Sequence, residues 1–248
     1  MLSPQRNQLV WLSEQAWRSL LCQSSGGHQP FDACARAILQ HWSDQQLPLV
    51  VTAAYQAVAG KSATNVALGL PAPTQWQRRK LAIQANLQDL LRVAEFPELA
   101  QLGQVCGQAP GMLNFAAEMR RHGVAVQVYG SHGWQHLTGL HYLREGSDLD
   151  LRFRLQDSAQ AAPVIDALQR LTALALPWRI DGELAFTDGQ AVAWREVLQW
   201  QQGAVSQVLV KSRRGAELRC WPLTHADTPA EADAGPAAEL EAEVICPG

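Results

Sequence analysis

Apolar residues recur along this chain with two periods, and the changes of period mark its elements. Leu9 to Leu21 carries apolar residues at helical spacing, and Leu47 to Ala54 is a short apolar run that predicts a buried strand. A stretch of small residues from Gly60 to Asn65 predicts a loop. It leads to Val66-Ala67-Leu68-Gly69-Leu70-Pro71-Ala72-Pro73, where the glycine and prolines predict the end of any regular element. Beyond the basic run Arg78-Arg79-Lys80, the text from Leu81 to Ala94 predicts an amphipathic helix.

From residue 109 the pattern sharpens. Pro110 to His122 has helical spacing, with Arg120 and Arg121 in the last turn, where cations suit the dipole, and Gly123 as its stop. Val124 to Tyr129 predicts a strand, followed at once by Gly130-Ser131 and a helix over Trp134 to Leu140. Leu149 to Leu155 alternates apolar and polar residues as a half-buried strand does. Pro163 to Leu174 predicts a helix begun near Asp157 and Ser158, Trp178 to Phe186 a strand, and Val192 to Trp200 a helix. Gln207 to Lys211 and Glu217 to Trp221 predict a closing hairpin. Strands crossed by helices predict an α+β fold. We divide the chain into a smaller N-terminal α/β domain over 1–95, suited to docking a substrate or a partner protein, a second domain over 96–223 and an acidic tail over 224–248. The tail reads ADTPAEADAGPAAELEAEV from Ala226, too poor in apolar residues to offset its ordering entropy.

Composition narrows the function. With 248 residues, 47% of them hydrophobic and 17% charged, the chain can bury a substantial core. A formal charge of −3 gives no basic excess of the kind a general nucleic-acid binder carries. Cys22, Cys34, Cys106, Cys220 and Cys246 are scattered and contain no CxxC pair, which predicts reduced thiols rather than a disulfide framework or zinc knuckle. The N-terminal text lacks a basic start and a continuous apolar stretch, and no apolar run approaches the roughly 20 residues that span a bilayer, so a cytoplasmic protein without membrane attachment is expected.

The chemistry concentrates at Val128-Tyr129-Gly130-Ser131 and Ser147-Asp148-Leu149-Asp150-Leu151, with 16 residues between Ser131 and Asp148. Residues two apart on a strand face the same way, so Asp148 and Asp150 present both carboxylates on one side. Paired hard oxygen donors suit Mg²⁺, which completes its octahedron with water and phosphate oxygens. A glycine after a strand lets backbone approach a ligand closely, and a helix beginning there aims free N–H groups at an anion, to which the Ser131 hydroxyl adds a donor. A metal-holding strand thus faces a phosphate-gripping turn. His132 and His136 stand one helical turn apart, but Gly133 occupies the place where a zincin carries glutamate. His132, beside Ser131, is instead read as a donor to phosphate. Lys211 in VLVKS is read as a cation for a leaving pyrophosphate. Arg213, Arg214 and Arg78-Arg79-Lys80 are read as solvated, the latter run also offering a basic surface to a partner protein.

Gly-Ser followed by Asp-Leu-Asp on a strand resembles the nucleotidyltransferase superfamily, whose members use a third carboxylate on a neighbouring strand. More closely, YGSHGWQHLTGLHYLREGSDLDLRF resembles the phosphoribosyl-dephospho-CoA transferases of malonate decarboxylase, and so do VALGLPAP from Val66, WRIDGELAF from Trp178, AVAWREVL from Ala191 and VLVKS from Val208. The similarity runs through about the first 223 residues and leaves out the acidic tail. The resemblance implies a nucleotidyltransferase-like mixed sheet with flanking helices. It also implies transfer of a prosthetic group from 2′-(5″-triphosphoribosyl)-3′-dephospho-CoA to a serine of the malonate decarboxylase acyl carrier protein, with diphosphate leaving and Mg²⁺ or Mn²⁺ required. By position, it makes Asp148 and Asp150 the metal-binding, essential acids and gives Gly130 and Ser131 the triphosphate. For the third acid, Asp181 and Glu183 share one strand face; Asp181, flanked by Ile180 and Gly182, is favoured, to complete the metal site or to take the proton of the attacking serine. Two other readings stand beside this one: an ATP-dependent nucleotidyltransferase acting on a small molecule or protein, and a regulator that has lost catalysis.

Overall fold

The computed structural model describes residues 4–22, 31–53, 65–109, 111–212 and 215–223. The expected loop at 60–64, Arg213, Arg214, Cys246 and the acidic tail lie outside the described residues. Two sheets organise the chain, which is α+β as expected.

The first sheet has the order β4-β3-β2-β1-β5 and is antiparallel throughout: β1 (Leu9–Leu12), β2 (Leu49–Ala53), β3 (Asn65–Pro71), β4 (Lys80–Asn86) and β5 (Leu90–Ala94). Helices α1 (Glu14–Cys22) and α2 (Ala33–Asp44) cover it with Trp17, Leu20, Ile38, Leu39 and Trp42. Each large apolar side chain buried there contributes about 1.5–3 kcal/mol of transfer free energy. Three sequence expectations fail in this half. The helix read from Leu9 to Leu21 is a strand and then a helix, divided at Ser13, whose hydroxyl accepts from the Ala16 amide. Val66 to Leu70 continues as strand through Gly69, and regular pairing stops only at Pro71. The helix read from Leu81 to Ala94 is a pair of strands joined by a turn of 3₁₀ helix: Leu81, Ile83 and Ala85 are buried with Ala82 and Gln84 exposed, a period of two that the apolar count alone had masked.

The second sheet, β11-β10-β9-β8-β7-β6, is mixed. It comprises β6 (Ala125–Val128), β7 (Leu149–Leu155), β8 (Ile180–Phe186), β9 (Ala191–Ala193), β10 (Val208–Ser212) and β11 (Gly215–Arg219). Only β7 and β8 run parallel, joined by α6 (Ala161–Thr172). Helix α6 and α4 (Gly111–Arg121) bury one face of the sheet around Leu149, Leu151 and Phe153. Gly123 adopts a positive φ of 72° and ends α4 as predicted. The short β9 and α3 (Gly103–Gln108) had no sequence expectation, and α7 (Trp194–Gln201) begins two residues later than predicted. No helix among the described residues is long and apolar enough to cross a membrane.

The two sheets are tied together close to the motif. Thr74 donates its amide and hydroxyl to the His141 carbonyl, the Tyr142 hydroxyl donates to the Pro71 carbonyl at 2.8 Å, and Glu95 pairs with Arg154 at 3.1 Å.

Candidate active site

Strand β6 ends at Val128, and α5 (Gly130–Thr138) starts without a connecting loop, earlier than the sequence predicts. Tyr129 is the cap residue; its amide donates to the Asp150 carbonyl at 3.1 Å and its side chain makes no cap bond, so the first N–H groups of α5 are left for another acceptor. Gly130 has a φ of 60°, and a Cβ there would overlap the Asp150 carboxylate, lying 2.7 Å from its Cγ. Glycine is therefore required twice over, by backbone and by space. Gly133 lets the next turn of α5 press on Val128, whose carbonyl carbon lies 3.0 Å from where a Cβ would stand.

The acids meet as parallel pairing dictates. Asp150 and Asp181 are register partners on β7 and β8, and Asp148 is two residues before Asp150. Burial, then the negative charges of Asp181 and Asp148, push the Asp150 carboxyl up to about 6. Asp148 is held by Arg179 through two bonds, 3.0 Å from Nε and 2.5 Å from Nη2, and that guanidinium keeps it below the usual carboxylate range. The same side of the sheet carries Tyr129, whose phenol is raised first by burial and then by Glu183, Asp150 and Asp181.

Glu183, the other acid of RIDGEL, is buried and accepts from Lys211 Nζ at 3.0 Å. The two acids that spacing could not separate thus differ in surroundings: Asp181 faces Asp150 and accepts from the Gly182 amide, while Glu183 already has a cation. Lys211 spends one donor on Glu183 and stays part-exposed beside β8.

Sequence reasoning missed Arg78. Gln77 and Arg78 both hold left-handed backbone, with φ of 53° and 58°, anchored by amide bonds to the Thr74 and Pro73 carbonyls. Consecutive non-glycine residues in that region are uncommon and cost energy. The turn brings the Arg78 guanidinium from the first sheet to the Ser131 hydroxyl, at 3.2 Å. Arg79 instead pairs with Asp32. The basic run was visible in the sequence; the turn that separates its members was not.

His132 is buried, packs edge-on to Trp178 with centroids 5.2 Å apart, and has no partner for Nε2; burial lowers its pKa. It lines a cavity of about 450 Å³ between α3 and α5 rather than the acidic face.

Could these acids hold a divalent ion? Among the described residues no three His, Cys, Asp or Glu side chains form a ready-made cage, and Asp148 is engaged by Arg179. The donor set nonetheless fits: the charges of Asp181 and Asp148 act against that of Asp150, and among the described residues Asp150 forms no ion pair, Arg179 reaching it only through its charge. Mg²⁺ uses few protein ligands and takes the rest from water and phosphate, so an incomplete cage is what such an ion requires.

Residues 5–96 match the model of the phosphoribosyl-dephospho-CoA transferase MdcG N-terminal domain, and residues 72–222 match that of its C-terminal domain. A phosphoribosyl-dephospho-CoA transferase of Bradyrhizobium diazoefficiens is 33% identical over 211 residues, 84% of this chain and 87% of that protein. One from Xanthomonas euvesicatoria is 33% identical over 225 residues (86% and 92%), and one from Pseudomonas putida 34% over 185 residues (70% and 83%). No solved structure matches. The chain is a group-transferring enzyme, and it belongs to the phosphoribosyl-dephospho-CoA transferase family.

Proposed function

We propose that this enzyme moves the 2′-(5″-phosphoribosyl)-3′-dephospho-CoA group from its triphosphate precursor to a serine of the malonate decarboxylase acyl carrier protein. The observation that carries the reading is the fit of the Asp150 carboxylate against Gly130, which sets the acids of β7 and β8 beside the start of α5. The carrier serine Oγ attacks the α-phosphorus; the new P–O bond forms as the bond to the β-phosphate oxygen breaks, and diphosphate leaves with that electron pair. The hydroxyl proton passes to a carboxylate, for which Asp181 is placed beside Asp150. Asp148, Asp150 and Asp181 would hold Mg²⁺ or Mn²⁺, which supplies positive charge to the phosphate oxygens. The free N–H groups of α5 and the Arg78–Ser131 pair grip the triphosphate. Glu183 serves to anchor Lys211, whose remaining donors are available to the leaving diphosphate.

Intact-mass analysis of the carrier after incubation with enzyme, Mg²⁺ and the triphosphate precursor tests this. A gain equal to the prosthetic group is expected. An unmodified carrier counts against the proposal, and label arriving from ATP without any dephospho-CoA would point instead to nucleotidyl transfer.

A further inference from the structure

The cavity between α3 and α5 has features that the phosphate chemistry leaves unused. Its volume is about 450 Å³, within the range of small-molecule sites. Gln104 and Gln108 of α3, His132 and His136 of α5, Leu143 and Trp178 line it, and no Asp, Glu, Lys or Arg is among its described lining residues. A wall without formal charge suits a neutral group rather than a phosphate. Trp178 offers a half-buried aromatic ring, and the His132 Nε2 has no hydrogen-bond partner although the residue is only 5% exposed. An orphaned buried ring nitrogen costs free energy unless a ligand meets it.

The cavity also adjoins the reacting centre along the chain. His132 directly follows Ser131. Trp178 directly precedes Arg179, which holds Asp148 by its side chain and accepts from the Leu149 amide through its carbonyl. We infer that this cavity binds the purine base of the nucleotide substrate, with Trp178 against the ring and His132 Nε2 and the α3 glutamines hydrogen-bonding its polar edge. A purine supplies both needs, an aromatic face and an edge of ring-nitrogen acceptors and an amino donor, so it satisfies His132 in either tautomer. This inference rests on the proposed function, in which the attacked phosphorus and the adenine are joined through two ribose rings. The base must therefore lie near the acids but off the phosphate track.

The full-length enzyme should be photolabelled with a 2-azidoadenine analogue of dephospho-CoA, without carrier or divalent ion, and the adduct mapped by peptide mass spectrometry. Labelling within 102–108, 132–143 or at Trp178 is expected, and labelling confined to other segments overturns the inference. In equilibrium binding of dephospho-CoA, Trp178→Ala should weaken affinity about ten-fold, the scale of one base–aromatic contact. The part-exposed Trp178 can be replaced with less risk to the core than His132, and Gln108→Ala, at an exposed position of α3, gives a second, smaller loss. Unchanged affinity in both variants also overturns the inference. Failure of the parent reading looks different: the wild-type enzyme would then leave the carrier's mass unchanged, wherever the label falls.

Discussion

Replacing Asp150 by asparagine should stabilise the enzyme near neutral pH while abolishing its activity. The ordinary carboxyl value of 3.8 is raised to about 6 by burial and by Asp181 and Asp148. Between those values the unfolded chain has lost the proton and the folded one keeps it, so stability falls as pH rises through that window. At 1.36 kcal/mol per unit, the full penalty at pH 7 is at most about 3 kcal/mol. Asp150 is only partly buried, and solvent screening reduces this to about 1–2 kcal/mol. Asparagine keeps the shape, and Gly130 still fits against it, but it carries no charge to repel its neighbours. Urea unfolding of wild type and Asp150→Asn without divalent ions, at pH 4 and pH 7, isolates the difference. The gap should move in favour of the variant by about 1–2 kcal/mol on going to pH 7, and Mg²⁺ should then narrow it by stabilising wild type alone. A gap equal at both pH values would refute the reasoning.

Three further substitutions test the remaining parts. Gly130→Ala places a methyl group on the Asp150 carboxylate in left-handed backbone, where chirality alone costs about 1–2 kcal/mol, and should lose both stability in urea and transfer activity. Arg78→Ala should raise the KM for the triphosphate about ten-fold, the scale of one charge-assisted bond, with the melting temperature nearly unchanged; steady-state kinetics decides. Lys211→Met leaves Glu183 buried without its cation and should cost about 2–3 kcal/mol of stability, recovered in part when Glu183→Gln is added. Were the single variant as stable as wild type, the ion pair would have no structural role.

The second half of the chain was legible because its signals are local. Alternation from Leu149 to Leu155 placed Asp148 and Asp150 on one face, and the glycine after β6 marked the turn. The N-terminal half misled because β4 and β5 are short, meet through a turn of 3₁₀ helix and expose Leu91, so their joined apolar pattern imitates a helix. Asp181 and Glu183 were inseparable by spacing; the register of β7 on β8 and the distant Lys211, 28 residues from Glu183 in sequence, distinguish them. Arg78 was hidden for a similar reason, since its position depends on two left-handed residues and on a partner 53 residues away. His132 was placed beside phosphate from its neighbour Ser131, whereas the helical turn carries it into the cavity with Trp178.

The central claim is that Asp150, which faces Gly130, and its neighbour Asp148 run the transfer. Single-turnover transfer to the carrier by Asp148→Asn and Asp150→Asn, each shown to be folded by its melting curve, tests it most directly. Both should fall by at least about a hundred-fold, the scale of losing one group that stabilises developing charge. Wild-type turnover by either folded variant would contradict the claim.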